Sequence, residues 1–245
     1  MPKCLNCNAK VESNYCPECG QSIKTRKVDN KTIFVDVPFS IINIDTGFGY
    51  TLMQVLKRPV QTAKDYIDGK KMNHFRPVSF LLVLTSLSYL INKLIPREEV
   101  KMVHLDSQKG EKITKFLTET PQLIVLMSLP VLALSMYTAF RKRKESFAAH
   151  FYYITYMQSF IAIITFIPNL IFGNNMYYAA ATLLLGVIAN IVYYVFVYKD
   201  DYKIHTSILR GILAQIYTLL IFLVLFAIVI MIATVYMKIS GVEQL

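Results

Sequence analysis

Apolar and polar positions alternate along this chain on two different scales, and the change comes about a third of the way in. After Arg76 the apolar residues fall in long runs at 78–95, 121–140, 148–172, 177–198 and 207–237. About 20 such residues in helical form cross a hydrocarbon core of about 30 Å. Residues 77–245 are therefore expected to form a bundle of about five transmembrane helices. The last run is long enough to tilt or to project beyond one face. The first is the shortest in apolar length, because Asn92 and Lys93 interrupt it and Lys93 has to snorkel toward the interface.

Before Arg76, across residues 23–76, the period is that of short amphipathic helices. Leu52, Val55 and Leu56 make one apolar stripe. Pro59 suits the first turn of a second helix carrying Val60, Ala63 and Ile67, and Gly69 suits its end. Lys57, Arg58, Lys64, Lys70, Lys71 and Arg76 flank these helices, the composition of a segment lying on an anionic leaflet with its cations on lipid headgroups. The stretch TIFVDVPFSIINIDTGF just upstream is ambiguous between strand and helix.

Composition agrees with the pattern. Hydrophobic residues make up 54% of 245, tryptophan is absent, and the mean hydropathy is +0.42, values of an all-α polytopic membrane protein rather than a soluble one. The net charge of +10 lies mainly in the first third and in short runs between spans, where lipid and topology account for it. No interleaving of aromatic and basic residues accompanies Lys24, Arg26 and Lys27, so nucleic acid is not an expected partner. Met1 to Asn8 has no apolar region of the secretory-signal kind, and the amino terminus is expected to stay attached.

Lysine and arginine in the loops set the orientation. Arg141, Lys142, Arg143 and Lys144 place the link between the second and third spans inside; uncharged Gly173 to Met176 falls outside; Lys199 and Lys203 return the next link to the inside. Five spans then put the amino terminus in the cytoplasm and the carboxyl terminus outside. The loop from Pro96 to Thr120 opposes this scheme, since it would be external yet carries Arg97, Lys101, Lys109, Lys112 and Lys115.

A cytoplasmic amino terminus is reducing, which bears on CLNCNAKVESNYCPECGQ, the segment (residues 1–22) holding all four cysteines. Two C-x-x-C pairs, Cys4 with Cys7 and Cys16 with Cys19, read there as thiolate ligands for one tetrahedral zinc ion rather than as disulfides. Asn8 and Gly20 follow the pairs, and both tolerate the left-handed backbone a tight metal knuckle requires. Eight residues between the pairs are too few for a core, so metal binding is expected to supply most of this module's folding free energy.

The ribbon followed by GFGYTLMQVLKRPVQTAKDYIDGKKMNHFRPVSFLLVL resembles the bacterial domain-of-unknown-function 3667 family. That family joins a four-cysteine ribbon to T-L-x-x-L-L-x-R-P-G, then Y-I-x-G-K-R, an aromatic, and a proline opening the first membrane helix. Thr51, Leu52, Leu56, Arg58, Pro59, Tyr66, Ile67, Gly69, Lys70, Phe75 and Pro77 match, while Val60 and Lys71 depart from it. The resemblance implies a bacterial inner-membrane protein and supplies no activity.

Catalysis is not expected. His74, His104, His150 and His205 are scattered, and no H-E-x-x-H or paired-carboxylate arrangement occurs. Coupled transport is disfavoured too, because the span interiors lack ionisable residues away from their ends. The expected role is a scaffold or regulator presenting the ribbon to a protein partner; the alternative is an oligomeric channel or small-solute conduit. Within the bundle, Thr182, Gly186 and Asn190 form one small or polar stripe and Ser207, Gly211 and Gln215 another. Counted from the cytoplasmic ends, Gln158, Asn190 and Gln215 fall at one depth, where an amide layer is expected to join three helices.

Overall fold

The computed structural model describes residues 2–33, 47–94, 120–142, 145–172 and 176–239. Among them the fold is helical, with no strand. Two short helices, α1 (Phe48–Lys57) and α2 (Pro59–Ile67), precede five long ones: α3 (Pro77–Leu94), α4 (Pro121–Ala139), α5 (Phe147–Phe172), α6 (Met176–Val197) and α7 (Ile204–Ile239). All five are long and apolar enough to cross a membrane, so the chain is a multi-pass membrane protein. Their bounds lie within three residues of those read from hydropathy. The discordant loop, apart from Thr120, lies outside the described residues, as do Arg143, Lys144, Gly173 to Asn175 and the carboxyl terminus.

The helix α5 is the hub, packed by α1, α2, α3, α4 and α6, while α7 lies against α4 and α6. Its first turns are closed in on every side: Ala148 to Met157 are all buried. Its far half is not, with Ile167 and Phe172 exposed. Hydrophobic surface left open on α3, α6 and α7 is ordinary for a helix whose solvent is lipid. The core is thus concentrated at one end of the bundle, the end where α1 and α2 dock.

Several polar groups at that end are satisfied locally, although the hydroxyls of Tyr156, Tyr193 and Ser207 are buried without a hydrogen-bond partner among the described residues. Arg210 Nη1 donates to the carbonyl of Ala139 at 2.7 Å, capping the end of α4, and its guanidinium lies 4.6 Å from the centre of the Tyr202 ring. Buried His150 sits with Nδ1 2.9 Å from the carbonyl of Ser146 and Nε2 2.9 Å from the hydroxyl of Tyr198, which also donates to Glu145 Oε2 at 3.1 Å.

The small-residue stripes part company. A β-carbon at Gly211 would lie 3.3 Å from Ile191 Cγ2 and 3.4 Å from Tyr194 Cδ2, so Gly211 lets α7 close on α6. Gly186 faces open space.

Candidate metal centre

The four cysteine sulfurs lie within 4.8 Å of one another. Cys4 Sγ is 3.6 Å from Cys19 Sγ, and Cys7 Sγ is 3.4 Å from Cys16 Sγ. Four sulfurs around one zinc at Zn–S of about 2.3 Å would stand about 3.8 Å apart along each edge of the tetrahedron. The cluster is close to that size and needs little movement to accept an ion.

Two equivalent knuckles build it. In the first, Cys4 N donates to Ala9 O at 2.9 Å and Asn8 N to Cys4 O at 3.0 Å; in the second, Cys16 N donates to Gln21 O and Gly20 N to Cys16 O, both at 2.9 Å. Asn8 (φ 63°) and Gly20 (φ 75°) hold the left-handed turns expected of them. Among the described residues Cys4, Val11 and Cys16 form the module's small hydrophobic core, with Ala9 and Cys19 packed against it.

Two of the thiols, Cys16 and Cys7, shift in opposite directions. Backbone amides of Cys19 and Glu18 favour the thiolate of Cys16 and, against burial, bring it down to about 7. At Cys7 the Ala9 amide favours the thiolate, but hydrogen bonding to Cys16 and burial override it and push the thiol up to about 12. Sulfurs this close cannot all ionise beside one another without a cation to compensate them. The donor set fits a thiophilic metal ion held by all four residues.

The module is docked rather than tethered, through a residue that the spacing of the sequence did not mark. Gln21, 5% exposed, donates from Nε2 to Gly69 O at 2.9 Å and accepts at Oε1 from the amides of Lys71 (3.0 Å) and Met72 (3.1 Å). The left-handed backbone of Gly69 (φ 90°) strains any side chain, and a β-carbon there would stand 2.7 Å from Leu5 Cδ1, whose tip would have to move aside. Just beyond the ribbon, Val28 N donates to Ile67 O at 2.9 Å, and the Asn30 side chain accepts from Ala148 N at 3.1 Å, strapping the chain across α2 onto the start of α5.

The platform under the ribbon is tied as tightly. Thr62 Oγ1 donates to Gln54 O and Arg58 O, joining α1 to α2, and Phe75 N donates to Thr51 Oγ1 at 2.8 Å. Asp65 is 8% exposed. Burial opposes its ionisation, but hydrogen bonds from Lys70 (2.8 Å) and Gln61 (3.1 Å), with the charges of Lys70 and Arg58, hold its carboxyl below the usual range.

The basic residues expected on headgroups divide accordingly. Lys70 is engaged by Asp65, and Lys71 lies 5.0 Å from the centre of the Tyr66 ring. Lys64 lines an open cavity of about 500 Å³ between Lys27, Asp68 and Glu145. Arg76 has contacts of its own, and Lys57 and Arg58 stand exposed at the end of α1. Nor does a hydrogen bond join the three intramembrane amides. Asn190 donates to Gly186 O at 2.7 Å and accepts from Tyr194 at 3.4 Å, within its own helix; Gln158 is half-buried; and Gln215 Nε2 is buried with no partner among the described residues. Around histidine, no metal-ligating cluster occurs among the described residues.

The family described as "Protein of unknown function (DUF3667)" matches residues 45–89, which take in α1, α2, the glycine loop and the opening turns of α3. The resemblance carried by Thr51, Arg58, Pro59, Gly69 and Pro77 holds across these residues, and the ribbon lies outside them. No curated protein and no solved structure matches the chain.

Proposed function

We propose that this protein is a bacterial inner-membrane scaffold or regulator that holds a zinc-loaded four-thiolate module at the cytoplasmic face and presents it to a protein partner. The observation that carries this reading is the Gln21 latch. It fixes the inner side of the ribbon to the matched segment and leaves the outer side free, with Tyr15 64% exposed. A rigidly mounted module with an open aromatic is suited to recognition, because little ordering entropy remains to be lost on binding. A non-catalytic role is supported by the structural bonds that engage Asp65 and His150 at this end of the bundle.

The test is co-purification from native membranes, comparing the full chain with one lacking residues 2–22. The shortened protein should stay in the membrane and lose specific partners that the full chain retains. An identical set of partners overturns the reading, and a symmetric ring of this chain alone favours a conduit. Orientation is tested separately: a reporter after Leu245 should be external and one at Arg141 cytoplasmic.

A further inference from the structure

We propose that α1 is an in-plane membrane helix whose outer face, Tyr50, Met53 and Leu56, is embedded in an anionic phospholipid leaflet. This goes beyond the reading of the metal module and does not depend on it.

Depth is the first argument. Gly47, at the head of α1, lies against Asn73, where a β-carbon would collide with the carbonyl. Thr51 is bonded to Phe75, and the Phe48 ring lies 5.1 Å from that of Phe80, inside the first turn of α3. The start of α1 is thereby held level with the start of the first spanning helix. Its partner α2 places Tyr66 against Tyr152 and Tyr156, at ring separations of 5.4 and 6.0 Å. Tyr156 is roughly 14 Å along α5 at a rise of 1.5 Å per residue. The 26 residues of α5 reach roughly 39 Å, more than the hydrocarbon core of about 30 Å and close to a bilayer with its headgroups. The excess of about 9 Å puts the first turns of α5, with the start of the platform packed on them, in a headgroup layer and Tyr156 at the top of the hydrocarbon.

Chemistry is the second. The inner face of α1 is used up in the protein core by Thr51 and Val55. The outer face carries Tyr50, Met53 and Leu56, 40%, 49% and 42% exposed and spaced three apart on one side of the helix. Lys57 and Arg58 follow at its end, and α1 contains no acid. Asp65, whose carboxylate feels the charge of Arg58, is buried and paired with Lys70. Apolar side chains at interfacial depth, with tyrosine at one end and two exposed cations at the other, Arg58 also donating to Gln54 Oε1, fit the headgroup and upper acyl region of an anionic leaflet. This adds the apolar outer face of α1 to the basic residues expected on headgroups, of which Lys57 and Arg58 stand at its end.

The chain lacks tryptophan, which makes a direct test available. Met53→Trp, Leu56→Trp and, on the ribbon, Tyr15→Trp are each made in the full chain. Each is reconstituted into vesicles of phosphatidylglycerol and phosphatidylcholine brominated near the top of the acyl chains. Fluorescence at 53 and 56 should be blue-shifted, roughly halved by brominated lipid and insensitive to iodide, with the reverse at 15. With bromine on one lipid at a time, phosphatidylglycerol should quench more, and Lys57→Gln with Arg58→Gln should abolish that preference. Quenching at 53 and 56 by iodide would place the face in water, and quenching by neither agent would mean that protein covers it; either result overturns the proposal. Equal quenching by the two lipids overturns its anionic part.

Discussion

Gln21 and Gly69, 48 residues apart in the chain, are joined by a buried hydrogen bond of 2.9 Å. The same side chain accepts from two amides beyond the glycine, so one residue of the metal module holds three backbone groups of a single loop. That loop connects α2 to the first span. The module and the membrane boundary are consequently one packed unit, and disturbance of either should be felt in the other.

Gln21→Leu keeps most of the volume and leaves the carbonyl of Gly69 and the amides of Lys71 and Met72 without partners. Buried groups so orphaned cost on the order of 2–4 kcal/mol in total. Hydrogen exchange in lipid nanodiscs should show Lys71 and Met72 losing protection while zinc content and membrane insertion persist. Unchanged protection would mean that other contacts suffice to dock the ribbon.

Metal analysis of the purified protein should give about one zinc per chain, lost in Cys4→Ser with Cys7→Ser, while the spans still insert. Because the ligands bind as thiolates, metal competes with protons, and apparent affinity should weaken progressively as pH falls, most steeply below about 7, where Cys16 is protonated too. Iron at the site, or no metal, would contradict the assignment.

His74 lies between Tyr50 and Tyr66, at ring separations of 5.2 and 6.4 Å. Burial is the main cause that lowers its pKa to about 4; Arg58 adds to the effect and Asp65 opposes it. The unfolded chain binds a proton on this residue near pH 6.5 and the folded one does not. Stability is therefore full above about pH 6.5 and falls as pH drops toward 4, levelling once both states are protonated. His74→Gln should flatten that part of the profile relative to the unchanged protein, read by hydrogen exchange across residues 48–57. An identical slope in both would assign the acid sensitivity elsewhere.

The glycines of the last two helices should respond unequally to leucine. At Gly211 the new side chain meets Ile191 and Tyr194 and forces α6 and α7 apart, at a cost of about 1–3 kcal/mol. At Gly186 nothing stands in the way, and the change should stay within about 0.5 kcal/mol. Thermal unfolding in detergent distinguishes the two, and equal losses would point to a neighbour on α6 beyond this chain.

Local physics decided much of this protein in advance. Whether a segment spans a membrane depends on its own length and apolarity, so α3 to α7 were readable to within a few residues. The four-cysteine cluster was readable for the same reason, since Cys4, Cys7, Cys16 and Cys19 are paired by short-range spacing and their knuckles close on neighbouring backbone groups. Pro59 and Gly69 marked the start and stop of α2 because their backbone preferences act where they stand. What periodicity cannot state is which surface covers an amphipathic face. The stripe of α1 and α2 suits lipid and protein equally well, and only the fold placed Val55, Ala63 and Tyr66 against the core while leaving Met53 outside. An amide's partner is just as undetermined along the chain: Asn190 closed on the Gly186 carbonyl one turn back in its own helix, and Gln21 found Gly69 because two modules distant in sequence share one end of the bundle.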